Sequence, residues 1–422
     1  MKKLIFLVMV LIPNLVFGRQ VSDLNELVKL ALQNNPEIEI VRKKKNISEY
    51  EFKKAIGEFL PSLKFEYSKV RLSDVPTFNI GPAEFSTMNK DFYNFKLSLT
   101  QPIFMGGKLI LNYKIKEKKK EVASYELQEK VLEVVRNIKK DYYELCEAKS
   151  NVEIAQKFLE AAKEHLKTVK SFYSEGLIPR RELLEAKVKL FEAKEKLENA
   201  KNFYEISLEK LRKDVGVENL EVKVEKLSYE PLNLSLEELL NTAYKVRPIF
   251  KYLKLLEDTA KYGEKIAYSQ FLPNLFLNFS YEKTDQYVGS NYSATSFSLV
   301  LQFPIFEGGK RYWDLKVAKE KENEVQTLIK KTRDLVRLQV VSAFKKLKSC
   351  EKRIETARKM VEEAEELFKT SKERYKEQVG TSTEVVDAIA YYVKAKEFLN
   401  SAIANYNKAL ADLEYAVGVS KF

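Results

Sequence analysis

The chain is written twice. Phe59-Leu60-Pro61-Ser62-Leu63 returns as Phe271-Leu272-Pro273-Asn274-Leu275, an offset of 212 residues. Asn35-Pro36 corresponds to Arg247-Pro248 at the same offset, and Leu24, Glu26 and Leu27 correspond to Leu236, Glu238 and Leu239. Further on, Pro102-Ile103-Phe104-Met105-Gly106-Gly107-Lys108 returns as Pro304-Ile305-Phe306-Glu307-Gly308-Gly309-Lys310, now offset by 202. Tyr173 pairs with Tyr375, and Val215-Gly216-Val217 with Val417-Gly418-Val419, again at 202. One insertion of ten residues between Pro61 and Pro102 accounts for both offsets. The chain is therefore two copies of one unit, and any architecture must use each element twice.

Each copy holds two kinds of element. Leu275, Leu277, Phe279 and Tyr281 alternate with Asn278, Ser280 and Glu282, and Phe297, Leu299, Leu301 and Phe303 alternate with Ser296, Ser298 and Gln302. The first copy does the same with Leu63, Phe65 and Tyr67, then with Phe95, Leu97 and Leu99. Alternation of this length reads as strands. Pro61 and Pro273 open a strand in each copy, and Pro102 and Pro304 are expected to close the hairpin, because proline cannot donate to a ladder. After each Gly-Gly pair a seven-residue rule takes over. Val131, Ile138, Leu145, Val152, Leu159, Leu166 and Tyr173 form one stripe, with Ala148, Ala155 and Ala162 three residues on. Val340, Leu347, Ile354, Val361, Phe368 and Tyr375 repeat it, with Ala343, Cys350, Ala357 and Ala364. A strict heptad predicts left-handed coiled-coil packing, and the small stripe lets helices approach closely. No Gly or Pro interrupts 108–173 or 310–375, so each stretch can run as one rod of roughly 100 Å.

The predicted organisation follows. Residues 1–18 read as a secretory signal, with basic Met1-Lys2-Lys3, an apolar Leu4 to Phe17 and cleavage after Gly18. A first repeat, 19–217, carries strands near 62–72 and 92–102, a long helix near 106–173 and a shorter one near 180–213. A second repeat, 218–422, carries strands near 274–284 and 294–304 and helices near 307–375 and 382–415. Helical segments 36–59 and 248–271 complete the two copies. Losing Lys2 and Lys3 with the leader leaves a net charge of +10. Past the leader no apolar run is long enough to span a bilayer as a helix. Strands of about ten residues can span one when tilted. Four such strands leave two open edges, which lipid does not satisfy, so the chain must close a barrel with copies of itself. Two copies give eight strands with a filled interior, and three give twelve with a lumen.

With the doubled Leu-Pro strand opening, the doubled Pro-Ile-Phe-x-Gly-Gly-Lys and the turn Tyr173-Ser174-Glu175-Gly176 followed by Glu182-Leu183-Leu184-Glu185-Ala186, the chain resembles the TolC-like outer-membrane factor family over roughly residues 20–417. The resemblance implies an α+β membrane protein. It would be a homotrimer with a twelve-stranded barrel in outer-membrane lipid, four strands from each chain. An α-helical coiled-coil tunnel would continue the barrel into the periplasm. Such a protein is the exit duct of a tripartite efflux or type I secretion system, docked on a periplasmic adaptor and an inner-membrane pump. It also implies a gate at the two tip turns. Tyr375 matches a tip tyrosine whose polar contacts help hold the aperture shut, and Glu384 and Asp387 would line the entrance as acidic rings. Glu182 and Arg181 belong to the other turn, where Arg180 and Arg181 stand in for an arginine that some relatives carry at the place held here by Gly380. Gly176, Leu177, Ile178, Val379, Gly380 and Thr381 would meet the adaptor. The second turn departs from the pattern, with Gln378 where the first has Gly176.

The remaining residues read more blandly. The single His165 sits between Glu164 and Leu166 on a charged helix and reads as an ordinary exposed or packed residue. Cys146 and Cys350 are not repeat equivalents and read as small buried residues. Tyr312 and Trp313 fit either a bilayer interface or helix packing. Phe422 follows a helix and does not read as the terminal residue of a strand. Gly-Gly-Lys is only a fragment of a phosphate loop. No catalytic set, cofactor motif or metal centre emerges. Nucleic acid is a poor partner, because Lys and Arg alternate with Glu along the helices as on a solvated face. The rival function is a secreted or periplasmic coiled-coil scaffold, which would have no use for alternating strands.

Overall fold

The computed structural model describes residues 19–21 and 23–420; the expected signal sequence lies outside them. In chain order the elements are β1 (Arg19–Val21), α1 (Leu24–Asn34), α2 (Pro36–Gly57), β2 (Ser62–Arg71), β3 (Thr77–Ile80), β4 (Ala83–Ser86), β5 (Asp91–Met105), α3 (Lys108–Ser174) and α4 (Arg180–Val215). The second copy continues with β6 (Leu220–Val222), α5 (Leu236–Val246), α6 (Pro248–Ser269), β7 (Asn274–Thr284), β8 (Tyr292–Gln302), α7 (Lys310–Lys376) and α8 (Ser382–Val417). The chain divides into two compact units. One contains 41–127 and 248–333, and the other 19–40, 128–247 and 334–420.

The first unit is organised by a four-stranded antiparallel sheet in the order β2-β5-β7-β8. Its register carries the alternation of the sequence across all four strands. Leu63 lies opposite Leu99, Leu99 opposite Phe279, and Phe279 opposite Phe297. The next row on that face is Phe65, Leu97, Tyr281 and Thr295. The rows between them form a polar face of Lys64, Ser98, Ser280 and Ser296, then Glu66, Lys96, Glu282 and Ala294. Lys64 pairs with Glu66 and Lys96 with Glu282 on this face. Side chains alternate about the pleat, so one slip of register would exchange the two faces. The starts of β2 and β7 and the ends of β5 and β8 share one end of the sheet, as Met105 opposite Asn274 and Asn274 opposite Gln302 require. All four strand–helix junctions therefore sit there. Among the described residues β2 and β8 keep one edge each without a strand partner.

One expectation needs correction here. Pro102 does not close the hairpin: β5 runs through it to Met105. Pro102 takes a place opposite Phe276, and the pairing shifts between Pro102 and Phe104. The irregularity absorbs the missing N–H, as proline in a strand requires. Pro304 does lie past the end of β8. The ten-residue insertion holds the β3–β4 hairpin, with Phe78 stacked on Phe85.

The Gly-Gly pairs turn strand into helix. Gly106 has φ +60° and Gly107 φ +85°, and in the second copy Gly308 has φ +60° and Gly309 φ +80°. A Cβ at Gly106 would also lie 2.5 Å from the Ser269 carbonyl oxygen, so space and backbone both demand glycine. Counted from residue 19, this unit has 30 Lys and Arg against 20 Asp and Glu, whereas the other has 41 of each. The net +10 is thus wholly on the sheet unit.

The second unit is helical. Ile138, Leu145 and the stripe Ala148, Ala155 and Ala162 are buried on α3, as are Val340, Leu347, Ile354 and Ala357 on α7. Ala186 and Ala193 of α4 and Ala388, Ala395, Ala402 and Ala409 of α8 are buried too. The alanine stripes thus lie in the buried seams of the unit. β1 and β6 form a short parallel pair, Arg19 opposite Leu220. Ser235 and Glu238 form a capping box at the start of α5.

Candidate functional site

The tip of the helical unit is made by the turns between α3 and α4 and between α7 and α8. In the first, Gly176 has φ +73° and its N–H donates to the Tyr173 carbonyl, while the Leu177 N–H reaches back to Phe172 at 2.9 Å. This is a left-handed helix stop, where glycine is at home. Leu177 is exposed, Ile178 is half-buried, and Pro179 precedes α4 with no side-chain cap. The second turn is built alike. The Gln378 N–H donates to Tyr375 and the Val379 N–H to Arg374 at 3.0 Å. Here the left-handed place is Gln378, with φ +61°, the one non-glycine residue of positive φ among those described. Gly380 does not supply the turn conformation. A Cβ there would make a tight contact, 3.1 Å from the Arg374 Cβ. Thr381 caps α8, accepting from the Glu384 N–H at 3.2 Å.

Behind these turns lies a buried polar cluster. Tyr375 is 4% exposed, and its hydroxyl lies 3.5 Å from Glu182 Oε2. Its ring packs against Phe172 and His165, with centroids 5.5 and 5.3 Å away. His165 Nε2 lies 2.8 Å from Ser382 Oγ, and both residues are buried. Burial, with Glu182 nearby, pushes the Tyr375 phenol up to about 12, so it stays a protonated donor. Burial pulls the His165 imidazole down to about 4, so it is neutral at pH 7. Around them Val169, Val385 and Ile389 make an apolar shell. His165 is the residue that sequence reasoning undervalued. Lys163, Glu164 and Lys167 beside it in sequence are charged, and Tyr375 of α7 and Ser382 of α8 pack against it.

The other candidate residues are on the surface. Glu384 and Asp387 lie three apart in the first turns of α8, both exposed. Glu384 lies 3.9 Å from Arg374 Nε, and Asp387 has no ion-pair partner among the described residues. Arg181 does not bridge the two turns within the chain; it pairs with Glu185 on its own helix at 2.7 Å. Lys372 joins Glu164 at 2.9 Å. Cys146 and Cys350 are buried and free, and burial raises both thiols, Cys146 to about 12. That leaves them without thiolate reactivity.

Two stretches, 27–217 and 239–419, match the model of the outer membrane efflux protein family. The chain belongs to that family. As an outer membrane efflux protein it acts in transport and resides in the outer membrane. No curated protein matches it by sequence. Its fold is that of known channels. The Campylobacter jejuni CmeC outer membrane channel superposes with a TM-score of 0.81 at 19% identity, covering 94% of this chain and 85% of that one. A membrane protein from Pseudomonas aeruginosa gives 0.80 at 16%, covering 94% and 91%. The open state of the Neisseria gonorrhoeae MtrE outer membrane channel gives 0.78 at 18%, covering 94% and 89%.

Proposed function

We propose that three copies of this efflux protein close one twelve-stranded barrel and form the passive exit duct of a tripartite efflux or type I secretion system. The observation that carries the proposal is the open sheet. Its strand directions alternate and its two edges are β2 and β8, so β8 of one copy meets β2 of the next in antiparallel sense. Repeating that step closes a ring with no edge left in lipid. Strands of 11 residues, such as β7, tilted by about 45°, span roughly 25 Å, which matches an apolar bilayer band. The apolar rows then face lipid and the rows of Ser, Lys and Glu line the lumen.

The helical unit would extend into the periplasm and present the two turns to an adaptor and, through it, to an inner-membrane pump. Leu177, Ile178 and Val379, held by Gly176, Gly380 and Thr381, form the contacting tips. The cluster of Tyr375 with Glu182 is the inner part of the gate. Glu384 and Asp387, tripled by symmetry, ring the entrance with negative charge, and Arg181 stands beside them.

Two measurements test this. Heat-modifiable trimers in an outer-membrane fraction support the duct, and a monomer in the soluble periplasm overturns it. In planar bilayers, Glu384→Ala with Asp387→Ala should weaken cation selectivity and block by multivalent cations. Unchanged selectivity removes the acidic rings while leaving the barrel.

A further inference from the structure

The duplication allows a contact seen within the chain to be carried over to a contact between chains. The two tip hairpins, α3–α4 and α7–α8, meet along a seam on which three polar contacts near the turns share one polarity, while farther along it Lys196 donates to Glu397 in the opposite sense. Lys372 reaches Glu164 at 2.9 Å, the Tyr375 hydroxyl faces Glu182 at 3.5 Å, and the Thr383 hydroxyl faces Glu185 at 3.5 Å. In these three pairs the donor is on the second hairpin and the carboxylate on the first.

From Gly106 onward the two copies align at the constant offset of 202, so each of these residues has a counterpart. Moving the three pairs by one repeat puts the donors on the first hairpin and the carboxylates on the second. Lys372 and Glu164 become Lys170 and Glu366. Tyr375 and Glu182 become Tyr173 and Glu384. Thr383 and Glu185 become Arg181 and Asp387. The donor–carboxylate chemistry survives in all three. None of these pairs is in contact among the described residues, and all six residues are exposed. The buried Tyr375 and its 40% exposed counterpart Tyr173 show the contrast most plainly.

We infer that these six residues form a second seam, in which the α7–α8 hairpin of one copy meets the α3–α4 hairpin of the next. The inference rests on the trimer proposed above. The tip is then closed by six alternating seams, three within chains and three between them. An apolar pair moves the same way. Val393 shares a buried core with Phe158, and their counterparts Phe191 and Met360 are 64% and 42% exposed. Covering that surface favours the second seam.

The two seams are not equal. The buried hydrogen bond of His165 with Ser382 maps onto Leu367 and Arg180, which cannot reproduce it. Two partners must also be exchanged, because Arg181 is held by Glu185 and Glu384 lies near Arg374. The seam between copies therefore relies more on exposed ion pairs and is the more salt-sensitive of the two.

The test is crosslinking in whole outer membranes, in a chain with Cys146→Ala and Cys350→Ala. A short bis-maleimide applied to Lys170→Cys with Glu366→Cys should give covalent dimers and trimers on denaturing gels. The same reagent on Glu164→Cys with Lys372→Cys should give linked monomers only. The native mass of the untreated protein separates the two ways of failing. A trimer in which the first pair links only within chains, or not at all, overturns the seam and leaves the trimer. A monomer overturns both. A charge swap checks the same contact without cysteines. Lys170→Glu should lower the heat resistance of the trimer and Glu366→Lys, added to it, should restore it; no restoration counts against the pair.

Discussion

Acid should loosen the tip through one residue. His165 is the chain's single histidine and is buried against Ser382 and Tyr375. The cavity beside it is lined by Glu164, Lys372 and Lys376, so the ring has charged neighbours but no carboxylate bonded to it. Its pKa is lowered to about 4 in the packed cluster, from an ordinary 6.5. A locally opened cluster takes up the proton below pH 6.5, and the packed one resists it until about 4. Between those values local opening binds a proton, so stability of the packed tip falls as pH falls. Above pH 7 the effect vanishes. At pH 5 it reaches about 2 kcal/mol, roughly a thirtyfold rise in opening, and it levels off near 3 kcal/mol below pH 4. Hydrogen exchange by mass spectrometry over 160–185 and 370–390 measures this, after correction for intrinsic exchange. The wild-type tip should lose roughly thirtyfold protection between pH 7.5 and pH 5. His165→Gln, which hydrogen-bonds without titrating in this range, should lose almost none. Equal losses in both proteins would refute the assignment to His165.

Two backbone positions give further predictions. Gln378→Gly removes the cost of a side chain at φ +61° and should stabilise the α7–α8 turn by about 1 kcal/mol, seen as slower exchange at 376–381. Gly106→Ala combines φ +60° with a Cβ 2.5 Å from Ser269 and should cost about 2 kcal/mol or more, seen as a lower yield of folded protein in the membrane.

Periods are what the sequence makes legible. The two-residue alternation of Leu275 to Tyr281 and Phe297 to Leu301, and the heptads from Ile138 and Val340, each repeat often enough to reveal both the element and its buried face. The β3–β4 hairpin escaped notice because four residues a side carry too little alternation. The β1–β6 pair escaped because its three-residue strands lie about 200 residues apart. Pro102 misled because a strand can run on past a proline when the ladder shifts around it. At the tip, the residue types at Tyr375, Glu182, Glu384 and Asp387 were legible, but their neighbours were not. Nothing around Glu164-His165-Leu166 announces that Ser382, on an element more than 200 residues away, will bury the ring. Gln378 was visible as a departure from Gly176; that it would keep the left-handed turn was not.

The sheet also sets an order of events. β2 and β5 pair locally, as do β7 and β8, and each hairpin can form as soon as its own residues are available. The pairing that fuses them, β5 with β7, joins Asn94 to Thr284 and must wait for nearly two hundred intervening residues, most of them helical, to follow. Closing so long a loop is entropically costly and slow relative to hairpin formation. During that interval the first hairpin offers Leu63, Phe65 and Tyr67 on one face and a bare β5 edge. The second hairpin of any other chain carries the same complementary edge as its own. Until the two halves of one molecule have met, a neighbour is a competitor; once they have met, it is the partner that the remaining edges require.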